Sequence, residues 1–94
     1  MRPVEVWLVE LDKRRPAVVL RAVGWLNEVH VVPITSTMRG LQSEVAIPNL
    51  PKASVANAQR LTLVPKDRLV RRVATLPTDI IETLHHAVCA VLDC

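Results

Sequence analysis

From Val4 to Glu10 the residues VEVWLVE nearly alternate, with Val4, Val6 and Leu8 on one side and Glu5, Trp7 and Val9 on the other. A period of two marks a strand, and it predicts the first one here. Pro16 opens a second strand, AVVLRA from Ala17 to Ala22, because the N–H that proline lacks need not be paired at a strand start. The turn between the two is short and charged. VGWLNE, from Val23 to Glu28, has no clear period and reads as irregular or as a single helical turn. VHVVPITS, from Val29 to Ser36, has strong β character, and Pro33 inside it predicts an edge position or a bulge.

Farther along, TMRGLQ reads as a loop around Arg39-Gly40, SEVAI from Ser43 to Ile47 as a short strand, and PNLPK as a turn. ASVANAQRLTLV, Ala53 to Val64, is too long for one strand of a small barrel and is expected to bend near Asn57 to Gln59 and to end at Pro65. KDRL predicts a tight turn, and VRRVATL, Val70 to Leu76, a final strand. The period then changes. Ile80, Ile81, Leu84, Ala87, Val88, Val91 and Leu92 recur at three- and four-residue spacing, the stripe of an amphipathic helix. Pro77 suits its first turn, and Asp79 and Glu82 complement its dipole. Short strands followed by one helix predict a mainly β fold, a strongly bent small barrel with a C-terminal amphipathic helix, built as one domain over residues 1–94.

Composition sharpens this picture. Half of the residues are hydrophobic, yet Phe and Tyr are absent, so the core must be built from Val, Leu, Ile and Ala, which favours strands. A chain of 94 residues hides only about 60 to 65% of its unfolded surface, and a second subunit is expected to help. The net charge of +3 leans towards a polyanionic partner. Nowhere do about 18 apolar residues run together, and the N-terminus lacks a long apolar core, so a soluble, non-exported protein with no membrane partner is expected. Cys89 and Cys94 are expected to be free thiols in a reducing compartment, since a bridge between them would close a very small loop.

Two clusters carry candidate chemistry. Lys13, Arg14 and Arg15 precede the second strand, where they either hold a phosphate or simply keep a short hairpin solvated. Thr35, Ser36 and Thr37 with Arg39 end the third strand. Hydroxyls and a guanidinium together bind phosphate oxygens, although Ser and Thr are also ordinary residues at strand ends. Trp25 is the candidate for stacking on a base, with packing at an interface or core edge as the alternative, and Trp7 is assigned to packing. Lys66, Arg68, Arg71 and Arg72 form a further basic stretch, either a solvated strand face or an outlying nucleic-acid contact. His30 reads as a structural histidine. His85 and His86, with Glu82 one helical turn before His86, lack further ligands at metal-site spacing, and neither a metal nor a cofactor is expected.

The order EVWLVELD, RRPAVVL, VVPITSTMRGLQSEV, SVANAQRLTLV and DRL, ahead of a terminal amphipathic helix, resembles the MazF/PemK family of toxins over nearly the whole chain. The resemblance implies an SH3-like small barrel of the MazF/PemK/CcdB type, a homodimer, and a cytoplasmic toxin of a toxin–antitoxin system. It also implies a metal-independent, sequence-specific endoribonuclease that cuts single-stranded RNA to 2′,3′-cyclic phosphate and 5′-hydroxyl ends. A cognate antitoxin with an acidic, disordered tail would neutralise it. Carried over by motif, Arg15 is the catalytic arginine before the strand-opening proline, Thr35 is the threonine ending the third strand, and Gln59 is the glutamine of the bend. Lys13, Arg14, Trp25, Ser36, Thr37, Arg39 and Gln59 are then the RNA-binding candidates. One departure stands out: Asp12 leads almost directly to the arginines, where most members carry a longer, Gly-containing loop. The alternatives are a CcdB-like gyrase poison, whose Trp-Gly-Ile ending is replaced here by Leu92-Asp93-Cys94, and a barrel that binds RNA without cutting it.

Overall fold

The computed structural model describes residues 5–23, 27–36, 40, 43–48, 50 and 54–92, with the side chains of 21–23 excepted. Strands β1 (Glu5–Glu10) and β2 (Arg14–Val23) form a hairpin, followed by β3 (Glu28–Thr35), β4 (Glu44–Ile47), β5 (Ser54–Asn57), β6 (Thr62–Pro65), β7 (Leu69–Thr75) and helix α1 (Thr78–Leu92). The ladder runs β4-β5-β3-β2-β1-β7, with β6 also paired to β3, and every pairing is antiparallel. Among the described residues β4 and β7 end this ladder, so the sheet is open and is completed by side-chain packing instead of a closed ring of hydrogen bonds. Register shifts at Val6/Trp7, Leu8/Val9 and Val19/Arg21 supply the local bends.

Register decides which side chains meet. Val6 pairs with Val18 and Val18 with Val32, and this row faces α1. There it joins Ile34, Val45, Ile47, Ala56 and Ala58, together with Ile81, Leu84 and Ala87 of the helix, in the larger core. On the opposite face Val9, Ala17, Val29, Val31 and Val64 form a second core, with Trp7, Leu11, Val19 and Leu69 packed against it. The middle strands are therefore apolar on both faces, which explains why β2 reads as a run of Val and Leu rather than an alternation.

The helix begins as expected from Pro77, whose carbonyl accepts the N–H of Ile80 and of Ile81 at 3.1 and 3.2 Å. Its apolar stripe is longer than the surface it covers: Ile81, Leu84 and Ala87 are buried, but Val91 and Leu92 are 38% and 58% exposed. The bend expected near Asn57 to Gln59 is a 3-10 turn, Ala58–Arg60, and KDRL forms another over Lys66–Arg68. Asn27 precedes β3 at φ 56°, in the left-handed region that Asn tolerates, and its carbonyl accepts the Lys66 N–H at 3.0 Å.

Three expectations change. Strand β2 starts at Arg14, because the pairs Glu10↔Arg14 and Val9↔Arg15 extend the hairpin, so Arg14 and Arg15 lie in the strand and not on the turn. Pro33 sits in a central strand, at the point where the outer partner of β3 changes from β6, registered through Val31, to β5, registered from Ile34. Neither partner registers with Pro33, so its missing N–H costs that edge nothing. Cys89 is disulfide-bonded and is not a free thiol. Cys94 lies outside the described residues.

A polar clasp joins β1 to the edge strand β7. Glu5 accepts the indole N–H of Trp7 through Oε1 and the Arg72 Nη1 donor through Oε2, each at 3.0 Å. The Trp7 hydrogen bond and then that of Arg72 hold the Glu5 carboxyl below its ordinary value, with the Arg72 charge adding and partial burial opposing. Because the folded value is the lower one, this contribution to stability is complete above the unfolded carboxylate range and disappears as pH falls through the folded value. Melting temperatures recorded from about pH 7 to about pH 3 should therefore fall less steeply for Glu5→Gln than for the parent. Leu84, fully buried, anchors α1. Leu84→Ala should cost about 2 to 5 kcal/mol in denaturant unfolding.

Candidate active site

The β2–β3 ladder has Ala17↔Pro33 as its last registered pair. Pro16 has no N–H to extend it, and continuing the same antiparallel register by two residues sets Arg15 across from Thr35. A depression of about 440 Å³ opens at this point, lined by Leu11, Asp12, Arg15, Pro33, Thr35 and Arg60. The strands thus bring the expected arginine and threonine to one concave surface.

Arg15 is poised to take an anion. Its side chain is 34% exposed, but its Nε is buried and has no hydrogen-bond partner. Asp12 Oδ1 stands 3.8 Å from that Nε, an ion-pair distance too long for a hydrogen bond. Asp12 instead accepts the Lys13 backbone N–H at 3.0 Å. The guanidinium is therefore steadied by charge while its Nε donor stays uncommitted, and a buried donor left unpaired costs about 1 to 3 kcal/mol until an acceptor reaches it.

Arg60 arrives from the 3-10 turn after β5. Asn57 caps that turn, its Oδ1 accepting the Gln59 N–H at 3.0 Å and the Ser43 hydroxyl at 2.8 Å. The Ala58 N–H donates to the Ser43 carbonyl at 2.9 Å, and Ala58 is fully buried. Gln59 itself is exposed and lies outside the depression, so the bend presents the residue after the glutamine. The sequence motifs single out neither Arg60 nor Asp12 as a site residue. The available signal was that a bend expected at Asn57 to Gln59 turns its next side chain towards the end of β3.

The remaining candidates are dispersed. Lys13 and Arg14 are exposed and do not line the depression, and Arg14 Nε is paired with Glu10 Oε2 at 3.3 Å. Ser36 is exposed directly after Thr35. Trp25, Thr37 and Arg39 lie outside the described residues. His30 registers with Leu63, one step out of phase with Val31 and Pro33, and so projects from the other face of β3. His85 and His86, with Glu82 and Cys89, line a separate depression of about 380 Å³ on α1. Among the described residues no group of three His, Cys, Asp or Glu side chains is arranged to hold a metal ion.

Residues 2–92 match the family of PemK-like, MazF-like toxins of type II toxin–antitoxin systems, and the chain belongs to that family. It is 38% identical to endoribonuclease MazF3 of Mycobacterium tuberculosis over 82 residues, 81% of this chain and 78% of the relative. It is 33% identical to the probable endoribonuclease MazF5 of the same organism, over 96% of this chain and 91% of the relative. Among solved structures it resembles the Mycobacterium tuberculosis toxin MazF-mt6, with 32% identity, a TM-score of 0.82 and coverage of 98% and 97% of the two chains. It shares the fold of MazF in the MazE-MazF structure from Deinococcus radiodurans, with a TM-score of 0.83, 23% identity and coverage of 96% and 93%.

Asn57→Ala removes the turn's cap and leaves the buried Ser43 hydroxyl without its acceptor. A loss of about 1 to 3 kcal/mol in denaturant unfolding is expected.

Proposed function

We propose that this chain, an endoribonuclease toxin of the MazF-like family, cuts single-stranded RNA without a metal at a phosphodiester seated between Arg15 and Thr35. The observation that carries this reading is the one depression that both residues line, at the end of the β2–β3 ladder. The ribose 2′-hydroxyl gives up its proton and attacks its own 3′-phosphorus in line. The P–O5′ bond breaks and the departing O5′ takes up a proton, matching the one lost from O2′, which leaves a 2′,3′-cyclic phosphate and a 5′-hydroxyl. The phosphorane in between carries extra negative charge, and a guanidinium is suited to it because it stays charged and donates two parallel hydrogen bonds. Arg15 therefore acts as electrostatic stabiliser and not as proton acceptor, with Thr35 adding a hydroxyl to the same wall.

Ser36 borders this groove, and Lys13 and Arg14 extend positive charge along its approach. A cognate antitoxin with an acidic, disordered tail suits such a surface, since it can fold along the cationic groove and exclude RNA. The working form is a homodimer in the cytoplasm. Val70 and Val73, each 39% exposed on edge strand β7, offer apolar surface for the second copy.

The test is to incubate the purified protein with a long RNA in excess EDTA and map the new ends. Discrete cuts with cyclic phosphate termini are expected, and intact RNA would defeat the reading. Arg15→Ala should lose about 100- to 1,000-fold in cleavage rate and its toxicity while keeping the parent's circular dichroism spectrum. Full cleavage by that folded variant would remove Arg15 from the role.

A further inference from the structure

Arg60 is the second guanidinium that lines the depression among the described residues. Arg14 and Arg72 spend their charge on Glu10 and Glu5, at 3.3 and 3.0 Å. Arg60 has no carboxylate partner among the described residues and is exposed. An exposed arginine on a loose loop is an ordinary solvated cation. This one stands on a backbone fixed at both ends, by Ser43 and Asn57 before it and by the Leu61 N–H donating to the Ala58 carbonyl at 3.2 Å after it. A cation carried on a fixed backbone at the rim of a depression has less freedom to lose when it takes an anion than one on a loose loop, which favours a selective contact.

Single-stranded RNA carries one negative charge per nucleotide, so a strand that seats one phosphate at Arg15 must lead its neighbours past the rim of the same depression. We propose that Arg60 grips the backbone phosphate next to the scissile one and so fixes the register of the strand in the site, an inference that rests on the endoribonuclease reading given above. The contact is equally strong before and during the chemical step, so it acts on binding and leaves the saturated rate alone. It reads no base, since phosphate contacts position a strand without carrying sequence information.

Arg60→Ala and Arg60→Lys, compared with the parent, test this. One measurement is binding of a single-stranded oligonucleotide with 2′-deoxyribose at the cleaved position, across a salt series. The other is single-turnover cleavage at saturating RNA. For Arg60→Ala, binding should weaken about five- to tenfold, and the slope of log affinity against log salt should shrink by about 0.7. The saturated rate should stay within about twofold of the parent, and the cleaved sequence should not change. Arg60→Lys should restore the salt slope, since it keeps the charge. Unchanged affinity and slope in Arg60→Ala would overturn the proposal. So would a loss of about 100-fold in the saturated rate, the size expected for a group acting on the reacting phosphate itself. If the parent fails to cut RNA, the endoribonuclease reading falls, and the salt slope then decides the Arg60 contact alone.

Discussion

Two prolines determine where the sheet stops being a sheet. Pro33 on β3 belongs to the last registered pair of its ladder, Ala17↔Pro33, Pro16 on β2 lies directly beyond it, and from there the two strands continue without registered pairs between them. A pair of strands that keeps its direction but gives up its ladder leaves a gap, with the side chains of both strands projecting into it. Arg15 and Thr35 lie two residues beyond Ala17 and Pro33, on the face that this pair defines. The site is thus a by-product of where donors are missing, and it stays rigid because the paired region behind it is buried on both sides by Val18, Val31 and Val32.

Electrostatics then sorts the cations. Among the described arginines, Arg14 and Arg72 are engaged by glutamates on the adjoining strand β1 and serve the hairpin and the edge strand. Arg15 has an aspartate nearby at ion-pair distance only, and Arg60, like the exposed Arg68 and Arg71, has no carboxylate partner among the described residues; of these, Arg15 and Arg60 line the concave surface. A net charge of +3 is modest; what matters at the site is that two guanidinium groups face one groove, where low-dielectric walls strengthen their effect on a polyanion.

Much of this could be read from the chain. The alternation in VEVWLVE, the change to a helical period after Pro77 and the bend after Asn57 each correspond to an observed element, because each depends on short-range chemistry. Arg15 and Thr35 were identified by the motifs around them. What escaped notice depended on register. Arg14 and Arg15 look like turn residues in isolation and become strand residues only because Glu10 and Val9 lie opposite them. Pro33 looks like an edge marker, yet it occupies a central strand whose outer partner changes there. Gln59 stood out by type, whereas the direction of a single 3-10 turn gives the groove to Arg60. Val91 and Leu92 keep the helical period past the last core residue that could cover them.

The cap joining Ser43, Asn57 and Ala58 ties the Arg60 turn to the start of β4 and the end of β5, while Arg15 belongs to the hairpin of β1 and β2. Strand β3 joins the two, pairing with β5 at Ile34↔Ala56 and Thr35↔Val55 ahead of the turn and with β6 from Val31↔Thr62 after it. The backbones that carry the two arginines are thus both fastened to β3, and a polymer threading the groove meets a slot whose two walls share one support.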